Sequence, residues 1–302
     1  MKPSTDTRRP GYSKAYAKKY RQHKDLAKIA GQFVAKANSL NDFISRMGNV
    51  VRQAYNEVID MPRTGRWTVA ELAKTEKTYI GTKIEHLAMH EFSLAPGMKL
   101  DILFEGHEID IKNTIGNNWS IPLEAVGEIC IVIAGDDEKN IFSLGLFRAL
   151  EIYLNPGANR DRKRTISPTG MASVFWIARH APMGENFMAS LAPPVRDAIL
   201  KQTTGAARIR ELFRKVTLRL IHRDVIEGLA QQKDALKRVR KNGGARDHLL
   251  REGILLLSGK YDHELLGRLG FPNITHDQYV SIPSTEVVRK LGPSAAKRLL
   301  SP

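Results

Sequence analysis

The 302 residues are 42% apolar and 26% charged, with a net charge of +15, which excludes a disordered chain and fits a globular protein long enough for two ordinary domains. The apolar runs at 129–134 and 254–257 are far too short to cross a bilayer, and Met1-Lys2-Pro3-Ser4-Thr5-Asp6 has no apolar stretch behind it, so it does not read as a secretory signal. A single cysteine, Cys130, excludes an internal disulfide and points to a reducing, cytoplasmic setting.

In chain order, residues 12–60 read as polar helix, with Ile29, Phe33, Ala37 and Phe43, Met47, Val51 at helical spacing. Residues 1 to about 45 read as a basic helical extension. Residues 78–92 predict a stronger helix whose inner face is Ile80, Ile84, Leu87 and Ala88. Strands follow over 100–104, 108–112, 129–134 and 143–147, and the wholly apolar run at 129–134 is that of a central strand buried on both faces. Residues 155–169 read as a basic loop and 178–195 as the connection to a second domain. Beyond it, helices are predicted over 206–220, 223–230 and 233–240. A Gly243-Gly244 break, a short helix, a strand over 253–258, a helix over 263–269 and a last strand near 279–282 complete the chain. Helices followed by strand-and-loop elements at this scale suggest a winged helix-turn-helix. The expected fold is a mixed α/β core over 1–180 and a winged-helix domain over 188–302.

Charge is unevenly placed. Residues 1–30 hold nine Lys/Arg and two Asp, net +7; residues 201–251 hold fourteen Lys/Arg and five acids, net +9; residues 67–155 hold seven Lys/Arg and fourteen acids, net −7. A basic frame around an acidic middle suits a polyanion partner, with carboxylates kept for another task.

That task is written most clearly at Leu100-Asp101-Ile102-Leu103-Phe104-Glu105-Gly106-His107-Glu108-Ile109-Asp110-Ile111-Lys112. As a hairpin turning at Glu105-Gly106, it pairs Phe104 with His107, Leu103 with Glu108, Ile102 with Ile109 and Asp101 with Asp110. Alternation then puts Ile102, Phe104, His107, Ile109 and Ile111 on a core face, and Asp101, Leu103, Glu108, Asp110 and Lys112 on the other. Facing carboxylates destabilise a ladder, and a divalent cation bound between them would explain the pairing: hard oxygens hold Mg²⁺, which keeps waters and takes phosphate oxygens. Lys112 beside them would orient or help deprotonate an attacking water, and Glu85 on the preceding helix would complete the shell. The same face equally suits a solvated hairpin with ordinary surface charges.

Asp-x-Lys alone is a weak signal, occurring at Asp110–Lys112, Asp137–Lys139 and Asp161–Lys163; only the first lies in an alternating strand with a paired Asp upstream. The full spacing from Glu85 through Asp101 to Asp110-Ile111-Lys112 resembles the PD-(D/E)xK nucleases. Over roughly residues 50–285 the chain resembles the NaeI-type restriction endonucleases. The blocks that carry this are Arg63-Thr64-Gly65-Arg66-Trp67, Lys74-Thr75-Glu76-Lys77-Thr78, Gly81-Thr82, Trp119-Ser120-Ile121-Pro122, Ala158-Asn159-Arg160-Asp161, Glu211-Leu212-Phe213-Arg214, Lys237-Arg238-Val239-Arg240, Gly243-Gly244-Ala245-Arg246 and Glu252-Gly253-Ile254. The resemblance implies a type II site-specific endonuclease with an N-terminal nuclease domain and a C-terminal winged helix, each binding duplex DNA. It further implies a homodimer, Mg²⁺, a palindromic site and activation by a second DNA copy. Glu85, Asp101, Asp110 and Lys112 fall on the catalytic positions. The basic N-terminus and the segment 113–118 depart from the family.

Candidate DNA contacts are Asn159, Arg160, Lys163 and Arg164 in the basic loop, and Lys237, Arg238, Arg240, Lys241 and Arg246 around the Gly-Gly break. His86 and His90 lack the intervening Glu of a zinc helix and read as structural or surface residues. Trp119 and Trp176 read as core, and no ATP-type phosphate loop is present. The function expected is Mg²⁺-dependent restriction of foreign DNA beside a cognate methyltransferase. The rival readings are a repair or junction nuclease and a winged-helix regulator that does not cut.

Overall fold

The computed structural model describes residues 24–240 and 243–300; the basic segment 1–23, the larger part of the expected extension, lies outside them, as does Lys241. The chain forms two compact units, one from the described part of Met1–Val58 with Thr68–Asn186, the other from Ile59–Trp67 with the chain from Phe187 onward.

The first unit is built on a six-stranded sheet in the order β1-β2-β3-β5-β6-β9. The strands are β1 (Ala95–Pro96), β2 (Ile102–Phe104), β3 (His107–Thr114), β5 (Ile129–Asp136), β6 (Ile141–Arg148) and β9 (Phe175–Pro182). Only β3 and β5 run parallel; the other pairs are antiparallel, so this is a mixed α/β sheet. β5 is apolar on both faces because both are covered. On one side lie α1 (Lys24–Val34), α2 (Leu40–Ile59) and α4 (Lys74–Glu91). In α1, Leu26, Ile29, Ala30 and Phe33 recur at helical spacing and are buried; Phe33 stacks on Phe104 with ring centroids 3.9 Å apart. Residues 24–34 are thus part of the core. α4 opens with the Glu76 carboxylate accepting the Ala73 N–H at 2.8 Å and buries Ile80, Ile84 and Ala88. The opposite face of the sheet carries a second core around Trp119, Cys130, Val132, Phe147 and Trp176, capped by the small sheet β4 (Ser120–Ile121), β8 (Arg164–Ile166) and β7 (Leu154–Ala158), with Met171 of α5 (Pro168–Ser173) packed against it.

Two expected stretches of loop are structured. Most of 155–169 is the β7–β8 hairpin, its turn closed by the Asn159 Oδ1, which accepts the N–H groups of Asp161 and Lys163. Residues 178–182 belong to β9, whose alternation is hidden in the sequence by a bulge opposite Phe142–Leu144.

The second unit runs α3 (Met61–Thr64), then α6 (Phe187–Ser190), α7 (Pro193–Leu200), α8 (Gly205–Lys215), β10 (Ile221–His222), α9 (Arg223–Ala230), α10 (Ala245–Arg251), β11 (Ile254–Ser258), α11 (His263–Leu269), β12 (Gln278–Pro283), α12 (Ser284–Leu291) and α13 (Pro293–Leu300). Its sheet has the antiparallel order β10-β12-β11. The helix predicted over 233–240 is only a short 3-10 helix, Ala235–Val239. Its two buried residues, Ala235 and Val239, match a helical period over a single turn, and α9 has already ended at Gln231 in a left-handed conformation. The excursion at 59–67 packs within this unit: Met61 lies against Gly228, where a Cβ would meet it at 2.3 Å, and the Arg196 guanidinium stacks 4.5 Å from the Trp67 ring centroid.

Candidate active site

The β2–β3 hairpin turns at Glu105 and Gly106, both left-handed, with φ of 52° and 79°, the pattern of a two-residue type I′ turn. Its register is Ile102 with Ile109, Leu103 with Glu108 and Phe104 with His107, as alternation predicts, but the ladder begins at Ile102 and does not include the expected pair of Asp101 with Asp110. His107 departs from the expected core face: it sits at the turn and is exposed. The other face of β3 is not simply solvated. Asp110 pairs in register with Cys130 of β5 and is 3% exposed, because the second core closes over it.

Three of the four predicted residues meet here. Lys112 Nζ lies 2.7 Å from Asp110 Oδ1 and 3.9 Å from Asp101 Oδ2. Asp101 precedes β2 and is fixed from across the hairpin, its Oδ2 accepting the Ile111 N–H at 2.6 Å. Burial pushes the Asp110 carboxyl up to about 6; Lys112 opposes the shift and the neighbouring Asp101 adds to it. Burial works against the Lys112 ammonium, but Asp110 and then Asp101 outweigh it and hold it above the ordinary lysine range. Glu85, half-buried on α4, feels the same centre: burial, then the charge of Asp101, raises its pKa, and His86 and Lys112 lower it. Among the described residues no three His, Cys, Asp or Glu side chains form a ready-made metal cage. The carboxylate pair with its bridging lysine is what the fold assembles by itself.

The other two Asp-x-Lys matches are structural or superficial. Asp137 is buried in a pair with Arg52 at 2.6 Å and also takes the Val69 N–H and the Asn186 amide, while Lys139 pairs with Asp136. Asp161 and Lys163 are exposed at the tip of the β7–β8 hairpin.

Residues 34–294 match the family described as restriction endonuclease NaeI. The chain belongs to that family. It is 37% identical over 260 residues to the type II restriction enzyme NaeI of Lentzea aerocolonigenes, covering 82% of this chain and 82% of that enzyme. The activity of the NaeI family, site-specific hydrolysis of DNA, is accordingly the activity of this protein.

Within this NaeI-family chain the predicted basic contacts divide. Arg160 and Lys163 are exposed on the hairpin tip. Arg164 is half-buried and tied to its own chain, through the carbonyl of Asn155 at 2.7 Å and Glu151 at 3.2 Å. Asn159 builds the turn. In the second unit Arg240 is exposed, Lys237 pairs with Asp234 at 2.6 Å, Arg238 bonds Gln232, and Arg246 pairs with Asp262 at 2.8 Å. Gly244 is needed for packing, since a Cβ there would meet the Arg240 carbonyl at 2.1 Å. His86 and His90 are exposed, and Trp119 and Trp176 are core, 6.1 Å apart. No described helix is long and apolar enough to cross a membrane.

Two contacts around the centre went unread in the sequence. The Cys130 thiol lies 3.9 Å from Asp110 Oδ2, its pKa raised by burial and by Asp110. The Glu108 carboxylate accepts the N–H groups of Met98, Lys99 and Leu100 at 2.9, 3.1 and 3.0 Å, and these bonds, that of Leu100 foremost, hold it below the usual carboxylate range. The Asp110–Cys130 register could have suggested the first, but nothing local in the sequence marks the second.

Proposed function

We propose that this chain is a Mg²⁺-dependent type II endonuclease that cuts a palindromic site in double-stranded DNA, with Glu85, Asp101, Asp110 and Lys112 as its centre. The observation that carries the reading is the buried Asp110, held beside Asp101 by the hairpin and touched by Lys112. Two carboxylates kept together at the edge of an apolar core fit a hard dication, and Mg²⁺ characteristically takes one or two carboxylates, with water and substrate phosphate completing its shell. Asp101 and Asp110 would hold it, with Glu85 as the third carboxylate. When bound, Mg²⁺ supplies polarisation of a phosphate oxygen and a water acidic enough to attack. Lys112, held charged by Asp110, orients the attacking water and stabilises charge developing on the phosphate; it does not serve as the base in this state. Asp101 keeps its orientation through the Ile111 N–H, so the face presented to DNA is set before substrate arrives.

The second unit is read as a DNA-binding winged helix. Its order of helix, short strand, two helices and two antiparallel strands joined through α11 supports that reading, with α10 as the candidate recognition helix. With Arg240 before it and Arg251 at its end, it offers the charge a phosphate backbone needs. A homodimer would set two centres on opposite strands, and a second duplex on the winged helix would activate cutting. A cytoplasmic enzyme of this kind needs a cognate methyltransferase to protect its host.

The test is digestion of methylation-free plasmids carrying two or more sites with Mg²⁺, beside Lys112→Ala and Asp110→Ala proteins prepared identically. Discrete fragments from the wild type alone are expected. Nicks scattered over branched or damaged DNA would favour a repair nuclease, and uncut DNA in both Mg²⁺ and Mn²⁺, with binding retained, would leave only a regulator.

A further inference from the structure

The carboxylate of Glu108 sits on the same face of the hairpin as Asp101 and Asp110 but points the other way along the chain, into the loop that delivers Asp101. Three consecutive backbone N–H groups converge on it: Met98 on Oε1, Lys99 and Leu100 on Oε2. The next residue is Asp101. The loop is closed on its other side by the Gly97 N–H bonding the Asp101 carbonyl at 3.2 Å. Gly97 itself has no room for a side chain, since a Cβ would meet the Leu100 carbonyl at 2.3 Å and Glu108 Oε2 at 2.6 Å. Asp101 is therefore held at two points, its side chain by Ile111 and its backbone by this carboxylate-filled loop. Charge-assisted bonds of this kind are stronger than neutral ones and geometrically specific.

We propose that Glu108 is a positioning residue for the metal centre: through the loop 97–100 it fixes where the Asp101 carboxylate stands relative to Asp110, and so sets the affinity for the divalent cation. It touches neither metal nor DNA. This rests on the reading of Asp101 and Asp110 as metal ligands given above. Glu108→Gln is the informative substitution. The amide is isosteric, but whichever way it turns, its NH₂ group faces a backbone N–H where the carboxylate had an acceptor oxygen. Replacing a group that orients a metal ligand directly characteristically changes metal affinity by about 10- to 100-fold, and Glu108, acting through the loop, belongs at the lower end of that range.

The experiment follows Mn²⁺ binding to the full chain by loss of the free-ion paramagnetic resonance signal, without DNA, alongside cleavage at limiting and saturating Mn²⁺. For Glu108→Gln we expect a rise of about 10-fold or more in the half-saturating Mn²⁺ concentration, with most of the cleavage rate regained at saturating metal. A merely structural residue would lower the rate at all metal concentrations alike. Gly97→Ala, which crowds the same contact from the loop side, is expected to move the metal dependence in the same direction and provides an independent variant should Glu108→Gln fold poorly. Unchanged Mn²⁺ binding in a folded variant overturns the proposal. Absence of Mn²⁺ binding by the wild type, or equal binding by Asp110→Ala, sinks the metal centre itself and this role with it.

Discussion

At the residue scale the decisive balance is at Asp110, where burial outweighs the adjacent ammonium of Lys112 and leaves the carboxyl titrating at about 6. The sign of the linkage follows. Its pKa is higher folded than unfolded, so its contribution to stability is fully present below about pH 4 and lost as the pH rises through 6. In metal-free protein we expect the stability of the wild type relative to Asp110→Asn to fall between pH 4 and 7, by up to about 3 kcal/mol, measured by urea melts at each pH. Identical pH profiles would mean that Asp110 is not buried as an acid. Two of the arginines of the β7–β8 hairpin, Arg160 and Arg164, separate in the same spirit. Arg164→Ala removes bonds to Asn155 and Glu151 and should cost about 1–2 kcal/mol of stability. Arg160→Ala should leave stability within about 0.5 kcal/mol and, if it meets a phosphate, lower the salt dependence of DNA binding by about one counterion. The sequence placed both in one basic cluster because four basic residues in six look alike until the backbone carbonyls that claim one of them are known.

At the scale of elements, what could be read in advance was whatever depends on period and turn chemistry. The hairpin register came from alternation about Glu105-Gly106, the central strand from the unbroken apolar run at 129–134, and α11 from its own boundaries. What could not be read depended on neighbours distant in the chain. α1 looked like part of a basic extension, yet Phe33 lies under the β2–β3 hairpin on Phe104. Phe33→Ala should therefore cost about 3–5 kcal/mol, seen as a lower thermal midpoint, with a loss of cleavage that follows unfolding; a loss near 0.5 kcal/mol would mean that α1 does not belong to the core. The 3-10 segment Ala235–Val239 shows the converse: two apolar residues four apart satisfy a helical period without a helix. The meeting of Asp101, Asp110 and Lys112 was legible because their spacing is local to one hairpin; the contacts of Glu108 were not, since its partners are backbone amides, which carry no letter in the sequence.

At the scale of the whole molecule, the buried pair of Arg52 and Asp137 ties together pieces of chain far apart in sequence: Arg52 bonds Gly184 and Asn140, and Asp137 receives Val69 and Asn186. Asp137→Ala would leave a buried guanidinium unpaired, at an expected 3–5 kcal/mol. Adding Arg52→Met should recover only part of that, because the Val69 N–H loses its buried acceptor; full recovery in chemical denaturation would mean that this donor does not depend on Asp137. The excursion at 59–67 has a different consequence. The polypeptide passes from one unit to the other after Val58, back after Trp67, and across again after Asn186. One cut at residue 187 therefore does not divide the molecule: the N-terminal fragment keeps Met61 and Trp67, which are built into the C-terminal unit. Fragments nicked there should travel together on a native sizing column and part only in denaturant, and a truncation designed to isolate the second unit must carry residues 59–67 with it as a grafted segment.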